Sequence, residues 1–149
     1  MGHHPLAIFS LVPKSERAKA IVNDRKNERF ASVLLDKAGN PVKALDIGFR
    51  VGSSSPYTLA TLGRCGADIT IEGPSISRIQ CSFELHQTSG MVMLYDRSNS
   101  QTTHVLARMS NLFCQDVRDE LYSQEKSIRS SELAVIKGTF IFVWCGIPQ

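Results

Sequence analysis

The sequence has no pair of cysteines at knuckle spacing. Its four cysteines, Cys65, Cys81, Cys114 and Cys145, stand far apart, which argues against a zinc site. His86 and His104 have no partner at ligand spacing, so no metal is expected. There is no Gly-rich P-loop, no GxGxxG, no GxSxG and no HExxH. Without one of these local signatures the chain reads as a binding protein, with no cofactor and no catalytic residues. A basic stripe is also missing. Lys and Arg number 17 against 14 Asp and Glu, for a net charge of +3, and they are scattered, which speaks against a nucleic-acid footprint. The longest apolar run, Thr139 to Cys145, is far short of a membrane span, so no membrane partner is expected. The N-terminus shows no long apolar secretory region. The expectation is an intracellular chain with reduced thiols, and no basic cluster chooses nucleus over cytoplasm.

The 149 residues suffice for one domain with its own core. Leu6 to Val12 is a compact apolar run ended by Pro13 and reads as a buried strand. Ser15 is placed as an N-cap, and Ala18, Ile21 and Val22 share one face of a short helix behind it. Ala31 to Asp36 and Val42 to Phe49 flank a Gly39-Asn40-Pro41 turn, a hairpin signal. This segment is expected as an extra element packed on the main domain. Gly52 to Pro56 is a loop.

Short apolar runs separated by turn residues fill residues 57–106. Tyr57 to Leu62, Ile69 to Ile71, Cys81 to His86, Met91 to Tyr95 and Thr102 to Leu106 read as strands. Cys81, Phe83 and Leu85 share one face of theirs. The spacing predicts an antiparallel sandwich or barrel. Toward the C-terminus, Cys114, Val117 and Leu121 recur at three and four residues, which fits a short helix as well as an extended segment. Glu132 to Ile136 and Thr139 to Cys145 flank Lys137-Gly138 as a hairpin. Phe140, Phe142 and Trp144 alternate onto one face, an aromatic stripe for a sandwich core.

The turns of the central block carry a pattern. Gly63-Arg64, then Ser77 three residues before Gln80, then Asp96-x-Ser98 with Thr102 resemble the forkhead-associated (FHA) domain. That family has Gly-Arg, then Ser-x-x-His, then Asp-x-Ser-x-Asn-Gly-Thr at about these separations. The motif core spans residues 57–106 of a single domain over 5–149, with insertions at about 14–56 and 107–131. The resemblance implies an all-β fold, an FHA-like antiparallel β-sandwich with short helical insertions. It also implies a reader of phosphothreonine-containing proteins, acting through loops at one end, with the last strand beside the first. Residue by residue it implies that Arg64, Ser77 and Asn99 contact phosphate and that Arg78 and Ser100 contact the peptide. Gly63, Gln80, Asp96, Ser98 and Thr102 would support the loops. The chain departs from the family at Gln80, where the family has His, and at Ser100-Gln101, where it has Asn-Gly. Gln80 keeps both donor and acceptor capacity. Ser100 offers one hydroxyl in place of an amide, so peptide clamping is the function these changes touch most.

The residue types suit the chemistry. A phosphate monoester carries about −1.5 to −2 charges near neutral pH, and a guanidinium presents a planar fork of donors to it. Taken singly, Arg64 is an ordinary solvated arginine, Ser77 a turn serine, and Asp96 and Ser98 braces of their own loop. Their joint spacing is what carries the resemblance, and the resemblance is what implies phosphate. The competing expectation is an FHA-like scaffold that binds partners without phosphate.

Overall fold

The structure is a computed structural model and describes residues 6–36, 38–49, 56–73, 75–106, 125–127, 133–136 and 140–146. Strand β1 is Ala7–Pro13. Phe9 and Leu11 on it are fully buried, and Pro13 ends it because proline gives the ladder no N–H. Helix α1, Glu16–Asn23, follows. Ser15 caps it, its Oγ accepting the Ala18 N–H at 3.2 Å. The same Oγ accepts the N–H of Ile141 at 3.1 Å, so the cap also fastens the helix to the last strand. Ala18, Ile21 and Val22 are buried, as their spacing predicts. A 3-10 helix, Arg25–Phe30, continues the chain under an Asp24 cap.

Strands β2, Ala31–Leu35, and β3, Pro41–Gly48, form the expected hairpin. Their place differs from the expectation of an added element. Strand β3 pairs directly with β1, opposing Ser10 to Asp46 and Leu11 to Leu45. The reason is burial on both faces: Ala44 through Gly48 are all buried, and such a strand belongs inside a sheet. The Asp46 carboxylate accepts both the Ser10 and the Ser32 hydroxyls at 2.7 Å, joining β1, β2 and β3.

The central block supplies β4, Thr58–Gly63, β5, Ile69–Thr70, β6, Cys81–Leu85, β7, Val92–Asp96, and β8, Thr103–Leu106. Then come β9, Glu125–Ser127, β10, Leu133–Ile136, and β11, Phe140–Gly146. One sheet runs β2-β3-β1-β11-β10-β8 and the other β5-β4-β6-β7-β9. Every pairing is antiparallel except β4 with β5. Strand β11 lies beside β1, as the resemblance implies. The helix expected around Cys114, Val117 and Leu121 falls outside the described residues, as do the Lys137-Gly138 turn and the loop from Gly52 to Ser55.

The core lies between the sheets. The rings of Phe9 and Phe83 meet edge-to-face at 5.2 Å across it. Leu45, Ile47, Leu62, Leu94 and Phe142 close around them, each such burial contributing about 1.5–3 kcal/mol. The segment Met91 to Tyr95 alternates in burial. Val92 and Leu94 point inward, and Met91 is 43% exposed.

Candidate functional site

The ends of β4, β6 and β7 and the start of β8 meet at one end of the sandwich, and the turns between them are tied together from within. The close approach begins at Gly63. A Cβ built there would lie 2.1 Å from the Arg78 carbonyl oxygen, so only glycine fits. That contact lets the backbones join. Arg64 N–H donates to the Ser77 carbonyl at 3.0 Å and Cys65 N–H to the Arg78 carbonyl at 3.3 Å.

Arg64 is exposed, and its Nε–H donates to the Ile76 carbonyl at 3.1 Å. This contact orients the guanidinium and leaves its two terminal NH2 groups without a partner among the described residues. Arg78 is exposed as well, and its side chain makes no hydrogen bond or ion pair with them. The Ser77 Oγ accepts the Asn99 backbone N–H at 3.3 Å, which brings the turn after β7 against the turn before β6. The serine proton remains available to donate outward.

Gln80 sits beneath these turns, fully buried. Its Oε1 accepts the Ser77 backbone N–H at 3.1 Å. Its Nε2 donates to the hydroxyls of Thr102 and Thr103, both at 2.9 Å. Backbone bonds complete the anchoring, from Gln80 N–H to the Leu62 carbonyl and from Arg97 N–H to the Gln80 carbonyl. The amide thus uses both its donor and its acceptor side.

The turn after β7 folds on itself. Asp96 Oδ1 accepts the Ser98 backbone N–H at 3.0 Å and the Ser98 hydroxyl at 2.6 Å. Ser98 Oγ accepts the Thr102 N–H at 2.9 Å. Ser100 Oγ lies 3.4 Å from Thr102 Oγ1, facing its own turn. Gln101 has φ +53°, the left-handed region, and no other non-glycine among the described residues has a positive φ. Beneath, Cys81 opposes Asp96 in register. Burial, and then the Asp96 charge, push its thiol up to about 12, so it stays protonated and inert.

In fold the chain is similar to forkhead-associated domains. Aligned with Mycobacterium tuberculosis EmbR, solved with a low affinity phosphopeptide, it is 13% identical with a TM-score of 0.47, over 87% of this chain and 28% of that one. It thus spans little more than a quarter of EmbR. With the yeast Dun1 FHA domain, solved with a doubly phosphorylated peptide from Rad53, it shares 12% identity over 97% of this chain and 79% of that one, with a TM-score of 0.48. With the FHA domain of the CT664 protein from Chlamydia trachomatis it shares 16% identity over 79% and 96%, with a TM-score of 0.43. No protein-family model and no curated protein matches the chain.

Three contributors at this end were not singled out from sequence. Thr103 gives Gln80 its second hydroxyl, and the Thr102-Thr103 pair was its only signal. Asp68 accepts the Thr61 backbone N–H at 2.9 Å and so holds the turn that follows Arg64. Its place in a turn, seven residues on, hinted at that. The Ile76 carbonyl that aims Arg64 has no signal, because every residue carries a carbonyl. Among the described residues no cluster of His, Cys, Asp and Glu could hold a metal ion, and no helix is long and apolar enough to cross a membrane.

Proposed function

We propose that this loop end reads phosphothreonine in a partner protein, as a binding module and not an enzyme. The observation that carries the reading is the state of Arg64. Its terminal NH2 groups meet no carboxylate among the described residues, while its Nε is fixed on the Ile76 carbonyl beside the Ser77 hydroxyl. A fixed guanidinium with two outward NH2 groups next to a hydroxyl donor suits a phosphate dianion. Arg64 supplies the bidentate contact, and Ser77 and the Asn99 side-chain amide add single donors. We assign Arg78 and Ser100 to the peptide main chain, Ser100 by turning its hydroxyl away from Thr102. Gly63, Gln80, Asp96, Ser98 and Thr102 hold the turns in place. Those four charge-assisted hydrogen bonds at about 1.5–3 kcal/mol each, set against the cost of ordering the peptide, correspond to affinity in the micromolar range, about 8 kcal/mol. The partner is a protein bearing phosphothreonine, and the threonine form is preferred to the serine form.

The test is calorimetric titration of a degenerate phosphothreonine peptide pool into the protein, with an unphosphorylated pool and Arg64→Ala as controls. Saturable heat that needs the phosphate and vanishes in a folded Arg64→Ala supports the reading. No heat from any phosphorylated pool replaces it with a scaffold that works without phosphate.

A further inference from the structure

We propose that β2 is a pairing edge whose occupant is the β2 of a second copy of this chain, the two running antiparallel about a two-fold axis at Val33. Strand β2, Ala31–Leu35, ends its sheet, and no described strand pairs with its outer side. The hairpin fixes the phase of its hydrogen bonds. Asp36 N–H donates to the Asn40 carbonyl at 2.9 Å. Backbone groups change sides at each residue of an antiparallel strand. Leu34 and Ser32 therefore also turn theirs to β3, while Ala31, Val33 and Leu35 turn theirs outward. Pro41, opposite Leu35, agrees with this phase, since it has no N–H to give. The Ala31 N–H is spent on the Glu28 carbonyl. The outward row is then the Ala31 carbonyl and both backbone groups of Val33 and Leu35.

Folded proteins blunt such edges with charge, proline or brevity. Both edges of the other sheet do so. Strand β5 has two residues, and the Asn27 side chain takes the N–H and the carbonyl of Thr70. Strand β9 has three residues and carries Glu125 and Lys126. Strand β2 has five residues with neither charge nor proline, and its Leu35 is 73% exposed.

The strand that fits this edge is β2 itself. A two-fold axis through an antiparallel pair sets one residue opposite its own copy. That residue must face outward, and Val33 is the choice that keeps the whole strand paired. Each Val33 N–H then donates to the Val33 carbonyl across the axis. Each Leu35 N–H donates to the Ala31 carbonyl across the axis, the group left over by a residue whose N–H is spent. Side chains match as well, the large Leu35 standing beside the small Ala31. No like charges meet in this pairing, whereas a charged strand from another protein would find no counter-charge on β2.

The experiment uses the whole chain at about 10 to 500 µM. An edge this short is smaller than a standard interface, so half-association is expected on the order of 100 µM. Sedimentation equilibrium should show the average mass rising from 16.5 kDa toward roughly twice that value. Amide exchange read by NMR should slow about threefold at Val33 and Leu35 over the same range. Ser32 and Leu34, bonded to β3, should stay protected throughout. Leu35→Lys changes an exposed side chain, and Val33→Pro removes an N–H that β3 does not use. Both variants should melt like the parent and keep the monomer mass at every concentration.

A parent mass that stays at 16.5 kDa throughout overturns the inference and leaves the edge to a strand of another protein. A rising mass without slower exchange at Val33 and Leu35 also overturns it, because another surface then joins the copies. So does a rise that persists in both variants. None of these results bears on the phosphothreonine reading, whose Arg64 and Ser77 lie on turns of the other sheet.

Discussion

Gln80 grips Ser77 from inside the protein, its side-chain carbonyl accepting the Ser77 backbone N–H at 3.1 Å while its amide holds Thr102 and Thr103. One buried side chain thus fixes two turns at once. Replacing it with alanine removes three hydrogen bonds and leaves the Ser77 N–H facing a void. Gln80→Ala is expected to cost about 2–4 kcal/mol, read as a lower midpoint in urea unfolding. Phosphopeptide affinity is expected to fall in the protein that remains folded, because Ser77 loses its inner anchor. A variant as stable as the parent would show that the amide is not holding the turns.

A glutamine brace has a consequence for binding as pH changes. Histidine titrates near neutrality, and glutamine does not titrate at all. The group expected to change charge in the bound complex is then the phosphate itself, whose second pKa lies near 6. Affinity for a phosphothreonine peptide should stay level from about pH 8 to 7 and weaken as pH falls through about 6. Calorimetry across that range checks it, and a flat profile would contradict a preference for the dianion.

Gly63, like Gly48, is pressed against backbone that leaves no room for a side chain. A methyl group on Gly63 would lie 2.1 Å from the Arg78 carbonyl, well inside contact distance, and the obstacle is backbone that cannot rotate away. Gly63→Ala is expected to cost roughly 3 kcal/mol through forced separation of the two turns. Arg64 and Ser77 would separate with them, so affinity and stability should fall together. Urea unfolding and peptide titration on the same preparation test this.

What could be read in the sequence divides along physical lines. Strands announced themselves through apolar runs and turn residues, and the Ser15 cap through its place before Ala18, Ile21 and Val22. These are local signals. Gly63-Arg64 and Ser77 were singled out through their spacing, and the fold brings them together at one end of the sandwich. Contacts that depend on a partner distant in the chain were not legible. Asn27 sits in a polar stretch, RKNERF, that reads as surface. It is fully buried, and its side chain bonds both the N–H and the carbonyl of Thr70, doing for β5 what a neighbouring strand would do. Asp46 reads as an interruption of an apolar run, and only pairing places Ser10 and Ser32 against it. The integration of β3 into the sheet followed from the same blindness, since burial of both faces requires knowledge of the neighbours.

Gln101 shows a departure from the FHA pattern with a measurable cost. The pattern has glycine at this position, and the backbone here holds φ +53° with a glutamine side chain. A residue with a Cβ pays about 1–2 kcal/mol for that region, partly offset by the greater freedom glycine has when unfolded. Gln101→Gly is expected to raise stability by about 0.5–1 kcal/mol, visible as a higher urea midpoint. Gln101→Val, with a branched Cβ, should move it the other way. If both variants match the parent, the turn does not hold this conformation in solution.

The buried thiol under the site gives stability its own pH dependence. Cys81 titrates at 9.0 when unperturbed and is pushed up to about 12 in the folded protein, first by burial and then by the charge of Asp96. Between these values the folded chain keeps a proton that the unfolded chain releases. The contribution is therefore complete below about pH 9 and is lost as pH rises toward about 12, at up to about 1.4 kcal/mol per unit. Lysines and tyrosines titrate in the same window, so the comparison must be with Cys81→Ala. The stability difference between parent and variant, measured by urea unfolding from about pH 8 to 11, is expected to shrink steadily once pH passes about 9. A constant difference would mean that the thiolate is tolerated in place. Thiol labelling near neutral pH offers an independent reading: the exposed Cys65 should be modified well before Cys81, which is buried and becomes reactive only as the sheet opens.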